Sequence, residues 1–222
     1  MMGSTERFFE AIEAADVGRV IAMVATEPAL ASARDEHGVS GLMRARYRSD
    51  RRLQDAILGA GPTIDVFESA SLGDLERLRE LLDGDPSLAT AFSADGFTAL
   101  HFPAFFGGLE AARLLLDRGA DVDAHGRGWM TGTPLNSAAA GRHTDVARLL
   151  LECGADPDAR QAGGWTPLHS AAHNHDIQMV ELLLSRGADA SATNDEGATV
   201  LSMAEEGGGA DVVARLRAAI GS

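Results

Sequence analysis

The chain has 222 residues, 45% hydrophobic and 23% charged, with a mean hydropathy of -0.05, a balance that suits a folded chain and neither wholesale disorder nor a membrane protein. A formal net charge of -14 argues against the Lys/Arg surface that phosphate binding requires, so no nucleic-acid partner is expected. Cys153 is the only cysteine, no apolar run approaches bilayer-crossing length, and Met1 to Phe9 lacks a basic-plus-apolar leader, so the expectation is a cytoplasmic protein with no membrane partner.

In chain order, apolar residues at helical spacing occur at Val20, Met23 and Val24, then at Leu53, Ile57 and Leu58, then at Leu78, Leu81 and Leu82. Each group predicts a helix with one buried face. A basic run between the first two groups, Arg44, Arg46, Arg48, Arg51 and Arg52, reads as a solvated helix face. Leu58 to Leu82 spans 24 residues, against 34 from Val24 to Leu58 and 34 from Leu82 to Leu116, so the Gly59-Ala60-Gly61-Pro62 passage stands where a longer loop is missing.

From Asp95 onward the chain repeats itself. Thr98-Ala99-Leu100-His101, Thr133-Pro134-Leu135-Asn136, Thr166-Pro167-Leu168-His169 and Thr199-Val200-Leu201-Ser202 start 35, 33 and 33 residues apart. Gly119-Ala120-Asp121, Gly154-Ala155-Asp156 and Gly187-Ala188-Asp189 recur in step, and between the two motifs lie the triplets Leu114 to Leu116, Leu149 to Leu151 and Leu182 to Leu184. Thr caps the helix that follows it, and Pro in the first turn loses no hydrogen bond. The alanine pairs Ala138-Ala139 and Ala171-Ala172 allow that helix to pack closely on its neighbours. A second helix buries the leucine triplet and stops at a glycine that accepts the left-handed conformation.

These residues resemble the ankyrin-repeat family, most completely from Gly163 to Asp189. The resemblance implies an all-α solenoid of about seven helix-turn-helix units, the first three divergent. It would form a single domain over 1–222, with divergent units in 1–91, regular units in 92–193 and a closing unit in 194–222. It further implies a non-enzymatic binding module that recognises a protein or peptide partner through a concave groove and finger loops.

By the same resemblance, recognition positions are the loop residues before Thr and the two residues after the Ala pair. They include Phe97, Phe105 and Phe106 in the fourth unit, Trp129, Met130, Gly132, Ala140 and Gly141 in the fifth, Trp165, His173 and Asn174 in the sixth, and Asp195, Glu196 and Glu206 in the seventh. Both tryptophans and three of the eight phenylalanines thus fall where the repeat predicts exposure. Trp and Phe bring large contact area at low entropy cost, so they mark a recognition surface; packing on one another is the structural alternative.

His101 and His169 occupy the family's structural position and are expected to bridge units, and His175 stands where a left-handed residue belongs. His173 follows His169 by four residues, a spacing that two metal ligands can share, but no third ligand stands at an obvious spacing and no metal or cofactor is expected. Pro103 takes the place of an alanine inside the fourth unit's first helix, which predicts a late start or a bend beside Phe102, Phe105 and Phe106. That distortion is the basis of an alternative reading, a small-molecule or catalytic pocket lined by Phe102, the groove aromatics and His173. No phosphate loop, nucleophile elbow or zinc signature accompanies it, so no catalytic residue is assigned.

Overall fold

The computed structural model describes residues 3–127, 131–206 and 208–221. It is all-α: seven consecutive pairs of short antiparallel helices, with isolated β-bridges in place of strands among the described residues. The chain divides into two compact units, Met1–Ser69 and Ala70–Ser222.

The first unit contains α1 (Ser4–Glu13), α2 (Val17–Thr26), α3 (Gly41–Tyr47) and α4 (Arg51–Leu58). Asp16, Ser40 and Asp50 cap α2, α3 and α4 by accepting backbone N–H groups. Phe8, Ile12, Val20, Leu42, Leu53 and Ile57 form its buried core, and Gly41 admits the Phe8 ring where any Cβ would collide with it. Within the basic run, Arg44 pairs with Asp35, Arg48 with Glu13 at 3.2 Å and Arg52 with Asp50 at 3.9 Å. Helix α5 (Val66–Leu72) follows the glycine passage directly and carries the chain across the division.

The second unit continues with α6 (Leu75–Gly84), α7 (His101–Phe106), α8 (Leu109–Asp117), α9 (Pro134–Gly141), α10 (Thr144–Glu152), α11 (Pro167–His173), α12 (Ile177–Ser185), α13 (Val200–Glu206) and α14 (Ala210–Ile220). First helices α7, α9, α11 and α13 pack side by side in one layer, and second helices α6, α8, α10, α12 and α14 in another. Leu115, Leu150 and Leu183 are fully buried between the layers, and no member of the three leucine triplets is exposed. Each fully buried leucine contributes about 1.5–3 kcal/mol through the apolar surface it removes from water. Gly119, Gly154 and Gly187 take φ of 85°, 93° and 90°, and the amides of Ala120, Ala155 and Ala188 then close back onto the carbonyls of Leu115, Leu150 and Leu183.

Helix α7 begins at His101, three residues after Thr98, whereas α9 and α11 begin immediately after Thr133 and Thr166. The delay puts Pro103 in the first turn, where its missing N–H interrupts no helical hydrogen bond. At the turn after each first helix, Gly107, Arg142, His175 and Gly208 share left-handed backbone, with His175 at φ 52°.

Successive loops are tied together at a spacing of one repeat. The Asp156 amide donates to the Asp123 carboxylate at 3.1 Å and the Asp189 amide to Asp158 at 2.9 Å. Nearer the fingers, the Arg127 amide reaches the Gly96 carbonyl at 2.8 Å, the Asp195 amide reaches Gly163 at 2.9 Å, and the Arg160 guanidinium reaches Thr193 at 2.9 Å.

Candidate functional site

A set of caps fixes where each first helix of the second unit starts. In the fourth repeat the Thr98 N–H and hydroxyl both approach His101 Nδ1, at 3.2 and 2.8 Å, and Nε2 lies 3.0 Å from the Gly132 carbonyl. An amide donor facing Nδ1 requires a lone pair there, so the proton sits on Nε2 and is donated to the next repeat. His169 repeats the arrangement between Thr166 and the Ala198 carbonyl, at 3.4 Å. Asn136 replaces the histidine in the fifth repeat, accepting the Thr133 N–H and donating to Ala159 at 3.2 Å. Burial lowers the pKa of both His101 and His169, opposed by the Gly132 and Ala198 carbonyls respectively. Both rings serve as inter-repeat struts, as their motif position implies.

Beyond the caps, the first helices present one register position in common, seven residues after each Thr. It holds Phe105, Ala140, His173 and Glu206, and all four are exposed. Phe105 is 37% exposed and, with Ile220 near the end of α14, is one of two exposed large apolar side chains among the described residues of this unit. Its ring meets the half-buried Phe106 edge-on, with centroids 5.1 Å apart. Gly141, in the following register position, lies so close to the Phe105 carbonyl oxygen that any Cβ there would collide with it. Asn174, half-buried, uses its amide to reach the Ala139 and Ala140 carbonyls at 3.3 and 3.4 Å. It therefore ties the α11 end to the α9 end while His173 stays exposed.

Two of the expected groove aromatics are core residues instead. Phe97 is 6% exposed and Phe102 3%, the Phe97 ring lying 5.5 Å from His101 and 6.1 Å from Phe102. The residue before Thr leaves the finger and drops onto the motif histidine, and Phe102, one position after that histidine, closes the cluster from the helix side. Gly132, expected among the recognition positions, is likewise buried, between Gln161 and Asn136. Trp165 occupies the same register as Phe97 but remains half-buried, with its ring 5.9 Å from His169 and 6.3 Å from His173. Trp129 and Met130 lie outside the described residues. The structure thus brings Phe105 with Phe106, and Trp165 with His173, onto the accessible side, and withdraws Phe97 and Phe102 from it.

Two hollows lie elsewhere. One of about 620 Å³ is bounded by Leu184, Ala188 to Ser191, Arg215 and Ala218 to Ile220, and one of about 360 Å³ lies in the first unit against α1 and α2. Neither is lined by the groove aromatics or His173. Among the described residues no three His, Cys, Asp or Glu side chains are grouped to hold a metal ion, and no helix is long and apolar enough to cross a membrane.

A fold of stacked helix pairs with Thr-led first helices and glycine-stopped second helices defines a repeat protein of the ankyrin type. The family model described as ankyrin repeats matches in three overlapping copies, over residues 66–161, 126–194 and 155–220, and the chain belongs to that family. It is similar to a probable E3 ubiquitin-protein ligase, XBOS31, of Oryza sativa subsp. japonica, at 44% identity over 82 residues, 36% of this chain and 18% of that protein. The E3 ubiquitin-protein ligase XB3 of the same plant is 45% identical over 80 residues, and the potassium channel AKT3, also from rice, is 38% identical over 92 residues. The matches cover 36% and 41% of this chain, but only 17% and 9% of those two proteins, so the chain spans less than a fifth of each of these relatives.

Proposed function

We propose that the chain is a non-enzymatic recognition module that binds a protein or peptide partner along the groove formed by the ends of α7, α9, α11 and α13. Ankyrin repeats are protein-interaction modules, and the observation that carries the finer reading is Phe105. Phe105 leaves 37% of its surface in solvent while its ring packs on Phe106, and a partner that covered the rest would gain part of the ~1.5–3 kcal/mol that full burial of such a side chain contributes. Phe106 and the Trp165–His173 pair extend that surface, and the fingers rim it. The similarity to stretches of two ubiquitin ligases and a potassium channel supports the same reading. A segment shared by proteins of such different named activities is better suited to recognition than to any one chemistry. The small-molecule alternative draws less support, because Phe102, which was to line its pocket, is packed into the core.

The test is to replace Phe105 and Phe106 together by Ser and to compare partner capture and helical content with the parent chain. A recognition surface gives a more than tenfold loss of affinity with the circular dichroism spectrum retained. Unchanged capture refutes the groove as the binding surface.

A further inference from the structure

The third repeat keeps the frame of the later ones with different chemistry. Asp65 stands in the place of Thr98, Thr133 and Thr166, and Glu68 in the place of His101, Asn136 and His169. In each repeat the amide of the first residue donates to the side chain of the fourth, here at 2.9 Å. The histidines and Asn136 donate a proton onward from that place, which an ionised carboxylate cannot do. Glu68 is 2% exposed and meets the second repeat through Ser40 and Arg34. The Ser40 hydroxyl donates to it, while Ser40 Oγ accepts the Met43 amide at 3.2 Å. Arg34 donates to the Gly38 carbonyl at 3.1 Å and lies 2.7 Å from Asp65 but 4.0 Å from Glu68. Arg34 and Ser40 also bridge the base of the finger that carries Glu36 and His37 at its exposed tip. Beside them the Thr63 amide donates to Ser32 Oγ at 2.8 Å. Two carboxyl groups thus share one guanidinium, which sits on Asp65. The finger's other charged pair, Arg44 with Asp35, is engaged with itself at 2.8 Å. Burial and the neighbouring Asp65 charge raise the Glu68 carboxyl above the ordinary carboxylate range, opposed by the Ser40 hydroxyl, the Asp65 amide and Arg34.

We propose that Arg34, Asp65 and Glu68 form an acid-tightened clasp that holds the finger of the second repeat onto the start of α5. Uptake of one proton by the carboxyl pair leaves Arg34 to Asp65 and removes the repulsion beside it. Loss of that proton restores the repulsion and loosens the base of the finger, residues 35–39. A carboxyl whose value is higher in the closed form stabilises that form fully below its value in the opened chain, and the stabilisation is lost as the pH rises through the closed value. The clasp therefore tightens on mild acidification, opposite in sign to the histidine struts of the second unit, so the two are separated by reading each at its own residues. Each unit of displacement changes the opening equilibrium by up to about tenfold.

The experiment is NMR on the intact chain between about pH 4 and 7.5, following the Glu68 carboxyl carbon and the exchange of the Thr63 amide normalised to its intrinsic rate. Glu68 should titrate above the ordinary ~4.3, and Thr63 protection should fall as the pH rises through that midpoint. Glu68→Gln keeps an acceptor for the Asp65 amide and the Ser40 hydroxyl but carries no charge, so it should hold Thr63 protected across the range. Asp65→Asn removes the like charge, leaves Arg34 to Glu68 and should lower the Glu68 midpoint. Thr63 protection that is flat with pH in the parent chain, or that falls equally in Glu68→Gln, overturns the clasp. A Glu68 midpoint at or below ~4.3, or one unmoved by Asp65→Asn, overturns it as well.

Discussion

Leu150→Ala tests the stacking from which the groove is built. Leu150 is fully buried on α10, and its carbonyl accepts the Cys153 and Ala155 amides that end the helix, so the backbone around it is pinned. The substitution removes three carbons at about 0.8 kcal/mol each, or about 2.4 kcal/mol, before any cavity is counted. Because α8 and α12 flank α10 on either side, the site has little freedom to collapse, and the cavity term raises the cost into the upper part of the ~2–5 kcal/mol range. Glu206→Ala, at an exposed position in the last repeat, should cost under ~0.5 kcal/mol. Urea unfolding followed by circular dichroism measures both. Because each repeat leans on its neighbours, the lost interface should lower the main transition of the second unit. Equal midpoints for Leu150→Ala and Glu206→Ala would refute the claim that the leucine triplets hold the repeats together.

Phe97→Ala should destabilise by about 3–5 kcal/mol because its ring is buried against His101 and Phe102, whereas Phe105→Ala should change the melting temperature little; thermal melts of the pair distinguish core from surface. His101 and His169 are held neutral by burial, with pKa values below the ordinary ~6.5, so unfolded chains bind more protons as the pH falls. Their stabilisation is therefore full above about pH 6.5 and declines as the pH falls through the folded values, and urea midpoints at pH 7.5 and 5 should differ in that direction. His101→Asn, which installs the residue the fifth repeat uses, should reduce that difference. Gly141→Ala should lower the melting temperature by several degrees, since its Cβ would collide with the Phe105 carbonyl and displace the end of α7; a neutral outcome would show that the two ends do not approach so closely.

The repeat frame was legible because its residues obey local rules. Thr at a cap, Gly at φ near 90° and leucines at helical spacing each have one favourable use, and Pro103 correctly announced the late start of α7. Exposure of the aromatics was less legible, because register tells which side of the backbone a side chain leaves and not which neighbouring ring covers it. Phe97 and Trp165 share a register position, yet Phe97 meets Phe102 where the sixth repeat has Ser170 after its histidine. A large residue directly after the motif histidine is thus the signal that would have moved Phe97 into the core. The role of Asn174 as a tie to Ala139 and Ala140 also depends on a neighbouring repeat and is invisible in its own.

The loop-to-loop hydrogen bonds bear on how such a chain changes its length. The Asp156–Asp123, Asp189–Asp158, Arg127–Gly96, Asp195–Gly163 and Arg160–Thr193 links each join residues about one repeat apart. The two aspartate links are equivalent, each running from the amide of the Asp in one Gly-Ala-Asp motif to the Asp two residues past that motif in the preceding repeat, so a duplicated repeat that keeps both residues recreates the same link across the new junction. A gene can therefore lengthen this surface by unequal crossing-over without inventing new contacts. Each added repeat contributes one more rung to the row of Phe105, Ala140, His173 and Glu206, and its side chain there is free to vary because the struts and ties lie behind it.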